Sequence, residues 1–163
     1  MEKFRNISSP GVEYTLEQVI AEMLAFIRED DELQYKVIVG TDSLHRSKRT
    51  CFSTAIIIHR VGKSARFWYS KYYVDKYPRD IVVRIMKETA DSIEIMVAVK
   101  DSELSNYITD EDLEIHIDAG SNGDSVKVVH QALSYVKAMG FNGEAKPDSA
   151  IATNVADRFT GHS

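Results

Sequence analysis

Apolar and polar positions along this chain fall into blocks whose period changes, and the changes predict an order of elements. Leu16, Ile20, Met23, Leu24 and Ile27 recur at helical spacing behind Thr15-Leu16-Glu17-Gln18, a capping-box pattern, so the chain opens with an amphipathic helix ending in polar Arg28 to Glu32. Val37-Ile38-Val39-Gly40-Thr41-Asp42-Ser43 has a different character. Its β-branched run, bounded by polar residues, predicts a buried strand with Asp42 at its end. Ser43 to Arg49 then makes a polar, basic turn, and Cys51 to His59 returns as a second strand. After a turn at Val61 to Ser64, the aromatic run Arg66 to Val74 completes a three-stranded meander.

Tyr77-Pro78-Arg79-Asp80 breaks the third strand, and Ile81, Val82, Ile85, Met86 and Ile93 define one broad face of a second helix. Glu88 falls inside that apolar stripe, where an acid is out of pattern. Periodicity leaves Ile93 to Val99 open between helix and strand. Leu113 to Asp118 is a second strand ending on an acid, followed by the turn Ala119 to Gly123. Asp124 or Ser125 then caps a helix that turns Val126, Val129, Leu133 and Val136 inward and stops near Gly140. Phe141 to Lys146 forms a short last strand. Pro147-Asp148-Ser149 starts a final helix, with Ile151, Val155 and Phe159 on one side and Ala150, Asn154 and Asp157 on another. No repeat or linker interrupts the chain, so residues 1–163 are expected to form one α/β domain, a mixed sheet flanked by helices, with residues 1–34 as a helical extension.

Composition narrows the function. A chain of 163 residues, 44% hydrophobic, is long enough to bury a core of its own. It has no apolar run of membrane-spanning length, and Met1-Glu2-Lys3-Phe4-Arg5 lacks the apolar segment of a signal peptide, so a cytoplasmic protein is expected. The single cysteine, Cys51, sits in an apolar strand and excludes an internal disulfide framework. The net charge of −5 argues against coating nucleic acid by bulk electrostatics, yet acids that hold cations also lower the net charge.

Four acids are poorly explained as solvated surface: Asp42 and Asp118 after strands, Glu88 on an apolar helical face and Asp157 on a small-residue face. If the two strands are neighbours, Asp42 and Asp118 share one end of the sheet, and helices packed across it can add Glu88 and Asp157. Such a cluster repels itself unless cations are present. An all-oxygen set without cysteine or paired histidine suits two Mg²⁺ or Mn²⁺ ions. Two ions about 4 Å apart would clamp the oxygens of an in-line phosphoryl displacement, which points to phosphodiester hydrolysis. The alternatives are turn aspartates at Asp42 and Asp118, a snorkelling Glu88 and a surface Asp157. Asp148 and Asp124 read as helix caps.

The order of elements, with Gly40-Thr41-Asp42-Ser43, Phe52 to Ile56, Arg84 to Thr89, Ile115-His116-Ile117-Asp118-Ala119-Gly120, Lys146-Pro147 and Val155 to Arg158, resembles the ribonuclease H-like superfamily and within it the bacterial YkuK family. The resemblance covers most of the chain. It implies a mixed five-stranded sheet flanked by helices and cleavage of RNA, in some members within an RNA–DNA hybrid. It also implies that Asp42 and Asp118 hold both metals, that Glu88 completes one metal site and that Asp157, in Asn154-Val155-Ala156-Asp157, completes the other. Two family features are missing: Phe141 to Ser149 holds no histidine, and there is no basic, aromatic handle helix.

His45, Arg46, Lys48 and Arg49 form a basic turn beside Asp42 that would hold a phosphate backbone, or else is simply a solvated charged turn. His116 and His59 alternate within strands and His130 lies on the apolar face of its helix, and all three are expected to be structural, His130 as a core histidine. Trp68, Tyr69, Tyr72 and Tyr73 belong to the sheet rather than to a base-stacking platform. Asp118-Ala119-Gly120-Ser121 also resembles the phosphate turn of actin-like and sugar-kinase ATPases, but those need two lobes and this chain supplies one. The remaining rival is a nuclease-like module that binds nucleic acid or protein without catalysis.

Overall fold

A computed structural model describes residues 2–118 and 125–145. In chain order the elements are α1 (Leu16–Glu29), β1 (Tyr35–Arg46), β2 (Arg49–Arg60), β3 (Ala65–Asp75), α2 (Ile81–Lys100), β4 (Leu113–Ile117), α3 (Val126–Ala138) and β5 (Asn142–Ala145). The strands form one mixed sheet in the order β3-β2-β1-β4-β5. The meander β1-β2-β3 is antiparallel, and β4 and β5 add in parallel, which places the helical crossovers on the sheet. Among the described residues the fold is the α/β architecture expected above, with five strands, flanking helices and an additional N-terminal helix.

Val37 to Val39 and Ile56 to Ile58 are buried on both faces of the sheet, which is why they read as continuous apolar runs rather than alternating ones. The face toward the helices carries Val37, Val39, Ile115 and Ile117 against Ile85, Met96, Val99, Val129 and Val136. On the opposite face Ile38, Ile57 and Phe67 make a smaller cluster. Thr41 at the end of this core exchanges hydrogen bonds with Thr54 Oγ1 at 2.9 Å and Ser92 Oγ at 2.8 Å, so hydroxyls fix α2 over β1 and β2.

The capping box is formed: Thr15 Oγ1 accepts from Gln18 N, and Gln18 Oε1 accepts from Thr15 N, a cap worth about 1 kcal/mol. At the other end of α1, Tyr35 donates to Asp30 O at 2.7 Å and Arg60 to Phe26 O at 2.8 Å, satisfying carbonyls in and just beyond the last turn. Val19, Met23, Phe26 and Ile27 enter the same core as the sheet, so α1 is an integral layer of the fold.

The structure corrects several details. β1 does not stop at Asp42: it runs to Arg46, paired residue for residue with β2, and the turn shrinks to Ser47 and Lys48, with Ser47 at φ 53°. Ser43 and Thr50 are buried, so the polar hairpin residues have the strand's alternation even though their composition suggests a turn. Ile93 to Val99 continues α2. Ile81 and Val82 are exposed, and the inward stripe of α2 starts at Ile85. On α3, Val126 and His130 are exposed and Val128 and Ala132 are buried, so His130 is a surface histidine rather than a core one. The expected final helix lies outside the described residues.

Candidate functional site

β1 and β4 run in parallel from Val37–Leu113 to Gly40–His116, and there the ladder ends while β1 continues with β2 alone. Two residues past the last pair stand Asp42, within β1, and Asp118, just beyond the end of β4, at the place where the two parallel strands part. Crevices of this kind, where β-strands part, are where open α/β sheets bind ligands. Both acids are half-buried. Asp42 Oδ1 accepts from Ser43 N at 2.9 Å.

Glu88 comes to the same level from α2 and is 7% exposed. Ser43 Oγ donates to Glu88 Oε2 at 2.8 Å, while Arg84 donates from Nε to Ser43 Oγ at 3.0 Å and from its terminal nitrogen to Ser43 O at 2.8 Å. Burial pushes the Glu88 carboxyl up to about 8. The Ser43 hydrogen bond and the Arg84 charge oppose this, and the charges of Asp118 and Asp91 add to it. Strand alternation sends the Ser43 side chain toward α2 and that of Asp42 to the other face. Glu88 and Asp42 therefore flank β1 from opposite sides, and Asp118 is an acid whose charge Glu88 feels. Asp157 lies outside the described residues.

Ser53 is the residue directly across from Asp42 on β2, on the same face. It is fully buried, and among the described residues its Oγ has no hydrogen-bond partner, a state that costs about 1–3 kcal/mol. The orphaned hydroxyl beside Asp42 on one side of β1 and the buried carboxyl of Glu88 on the other are each of the oxygen type that a hard divalent cation takes. Oxygen donors from Asp42, Glu88 and Asp118 match Mg²⁺ or Mn²⁺.

The four basic residues divide. His45 Nδ1 lies 2.9 Å from Thr50 Oγ1 and Nε2 lies 3.1 Å from Ser47 O, so His45 clasps the hairpin from within. Arg46, Lys48 and Arg49 are exposed at its tip. Arg49 lies over the Tyr73 ring at 4.0 Å, beside a 500 Å³ groove lined also by Leu44, Cys51 and Asp75. Alternation puts Arg46 on the same face as Asp42, four residues on, or about 13 Å along the strand.

A further cluster was not anticipated. His116 Nε2 is 3.3 Å from Glu114 Oε2 and 4.0 Å from Glu144 Oε2, and Lys36 Nζ is 2.7 Å from Glu114 Oε1. The His116 hydrogen bond, and then Lys36, hold the Glu114 carboxyl below its usual value against the effect of burial. The ligand atoms of Glu114, His116 and Glu144 lie within 4.8 Å of one another. The signal was present as Glu114-His116-Asp118, three polar residues at every second position of one strand and hence on one face. Reading His116 as structural hid it, because Glu144 joins only through the β4–β5 register.

A family profile described as Ribonuclease H-like matches residues 18–161. The Bacillus subtilis (strain 168) protein named "Uncharacterized protein YkuK" is 32% identical over 96% of both chains. No solved structure gave a significant match. No helix among the described residues is long and apolar enough to cross a membrane.

Proposed function

Since the chain belongs to the ribonuclease H-like family, we propose that it is a metal-dependent nuclease that hydrolyses phosphodiester bonds in RNA or in an RNA–DNA hybrid, in the cytoplasm. The observation that carries this is the placement of Asp42 and Asp118 where β1 and β4 part, with Glu88 at the same level and its carboxyl pushed up to about 8. Asp42, Asp118, Glu88 and Asp157 would hold the cations. Two Mg²⁺ or Mn²⁺ ions would supply an activated water and neutralise charge on the leaving oxygen.

The chain's own groups do the rest. Asp42 and Asp118 present carboxylates where β1 and β4 part, and Glu88 would give up its proton to serve as a further ligand. Ser43 and Arg84 keep the Glu88 carboxyl in place as its charge changes. Arg46, Lys48 and Arg49 hold the phosphate backbone on the Asp42 face, with His45 bracing their hairpin.

A cleavage panel tests the proposal: single-stranded RNA, duplex RNA, RNA–DNA hybrid and DNA, each with Mn²⁺, Mg²⁺ or chelator. Products are expected from RNA or the hybrid with either metal and from none of the four with chelator. Binding without cleavage of any of them would instead favour a non-catalytic nucleic-acid-binding module.

A further inference from the structure

A groove of about 780 Å³ runs between the N-terminal segment, α1 and α2, away from the face that carries Asp42. Phe4, Leu16, Ile20, Ile95 and Ala98 give it an apolar floor. Its rim is acidic: Glu2, Glu17, Asp91, Glu94 and Asp101 line it, with Lys87 as the one cation among its lining residues. Lys87 is already committed to Asp91 at 2.8 Å, and the Tyr72 hydroxyl donates to the same carboxylate. Burial raises the pKa of Glu2 against the Ser70 hydroxyl, and the charges of Asp91 and Glu94 push it the same way, so the rim repels itself.

Lys87, Asp91, Glu94, Ala98 and Asp101 line it along one stripe of α2 and just beyond, with Ile95 and Ser102 beside them. These steps of four, three, four and three are the seam along which one helix lies against another. From Lys87 to Asp101 the seam is about 21 Å long, close to four helical turns. The small Ala98, one turn before its C-terminal end, lets a second backbone approach, and Leu16 and Ile20, one turn apart on α1, lie across from it.

We infer that this groove docks a basic amphipathic helix of a partner protein, its apolar stripe on the half-buried Leu16, Ile20 and Ala98 and its lysines and arginines against the exposed Glu17, Glu94 and Asp101. The occupant is set by charge complementarity to the rim and by the length and spacing of the seam. The inference is independent of phosphodiester hydrolysis.

The probe is a fluorescein-labelled Leu/Lys peptide of about 15 residues with helical apolar spacing, matched to the seam at 1.5 Å per residue, titrated by anisotropy at physiological salt. The double variant Glu94→Lys with Asp101→Lys is expected to weaken binding by at least ~10-fold. Glu32→Lys with Glu111→Lys, the same charge change at exposed sites outside the groove, is expected to leave binding within about twofold. A peptide of the same composition in shuffled order is expected to bind as weakly as the groove variant does. Equal losses in both double variants, equal binding of the shuffled peptide, or displacement of the probe by spermine would each overturn the inference. Thermal unfolding of every variant confirms that it is folded before titration.

Discussion

Glu88 is a buried carboxyl that accepts from the Ser43 hydroxyl, and its pKa stands at about 8 against an ordinary value of 4.5. The folded protein binds this proton more tightly than the unfolded chain does, so the group favours folding below about pH 4.5, and that contribution is lost as the pH rises to about 8. Metal-free protein should therefore lose stability across this window. Glu88→Gln, neutral at every pH, should flatten the loss and be more stable than wild type at pH 8 by at least ~1 kcal/mol, about one pKa unit. Parallel melting curves for the two proteins from pH 5 to pH 8 would contradict the burial of a titrating carboxyl. Cation binding must displace the same proton, so stabilisation by millimolar Mn²⁺ should be larger at pH 8 than at pH 6. Asp118→Asn, which removes both a proposed ligand and a charge felt by Glu88, should weaken that stabilisation in melting curves recorded with and without Mn²⁺. Glu88 was visible in the sequence because an acid inside an apolar stripe is out of pattern. Ser43 was not, because a serine after a strand gives no sign that it is buried and bonded to a helix that follows two further strands.

The β1–β2 hairpin is the element that links the proposed site to a substrate. Arg46→Ala with Arg49→Ala should weaken binding of an RNA–DNA hybrid and lower the slope of log K against log salt by about 1 for each phosphate that the variant leaves without its cation. An unchanged salt slope, measured by filter binding or anisotropy, would remove the hairpin from the interface. At the other edge, α3 packs so closely on β5 that a Cβ on Gly143 would meet Leu133 Cδ2 at 3.0 Å and Val136 Cγ1 at 3.1 Å. Gly143→Ala is thus expected to cost about 1–3 kcal/mol by overpacking, read from chemical denaturation. Strands and helices with strong periodicity were legible in the sequence, as Val37 to Val39, Ile56 to Ile58 and the α1 capping box show. The ends were less so. Ser43 to Arg46 looked like a turn because polarity dominates there, while pairing with Arg49 to Phe52 decides the backbone. Val126 and His130 were misplaced because the helix phase depends on where α3 meets β5, a tertiary fact.

At the scale of the molecule, α1, the sheet and α2 share one continuous core, with Phe26, Ile27 and Met23 fully or almost fully buried in it. Removing residues 1–34 should consequently unfold the domain rather than trim it, as judged by loss of a cooperative melt. Sheet order brings β4 in parallel against β1, far apart in the chain but adjacent in space, so that Asp42 and Asp118 each stand two residues past their last pair. That the two acid-bearing strands are neighbours was an expectation, and the β1–β4 pairing provides it. The separation of Asp42 and Glu88 to opposite sides of β1 was not visible, since it depends on which face α2 covers. The most direct test of the proposed activity is the rate of Mn²⁺-dependent cleavage of RNA and an RNA–DNA hybrid by wild type beside Asp42→Asn. Wild type should generate products that chelator abolishes, and Asp42→Asn should be slower by ~100-fold or more. Equal rates for the two proteins, or no metal-dependent product from wild type on either substrate, would contradict it.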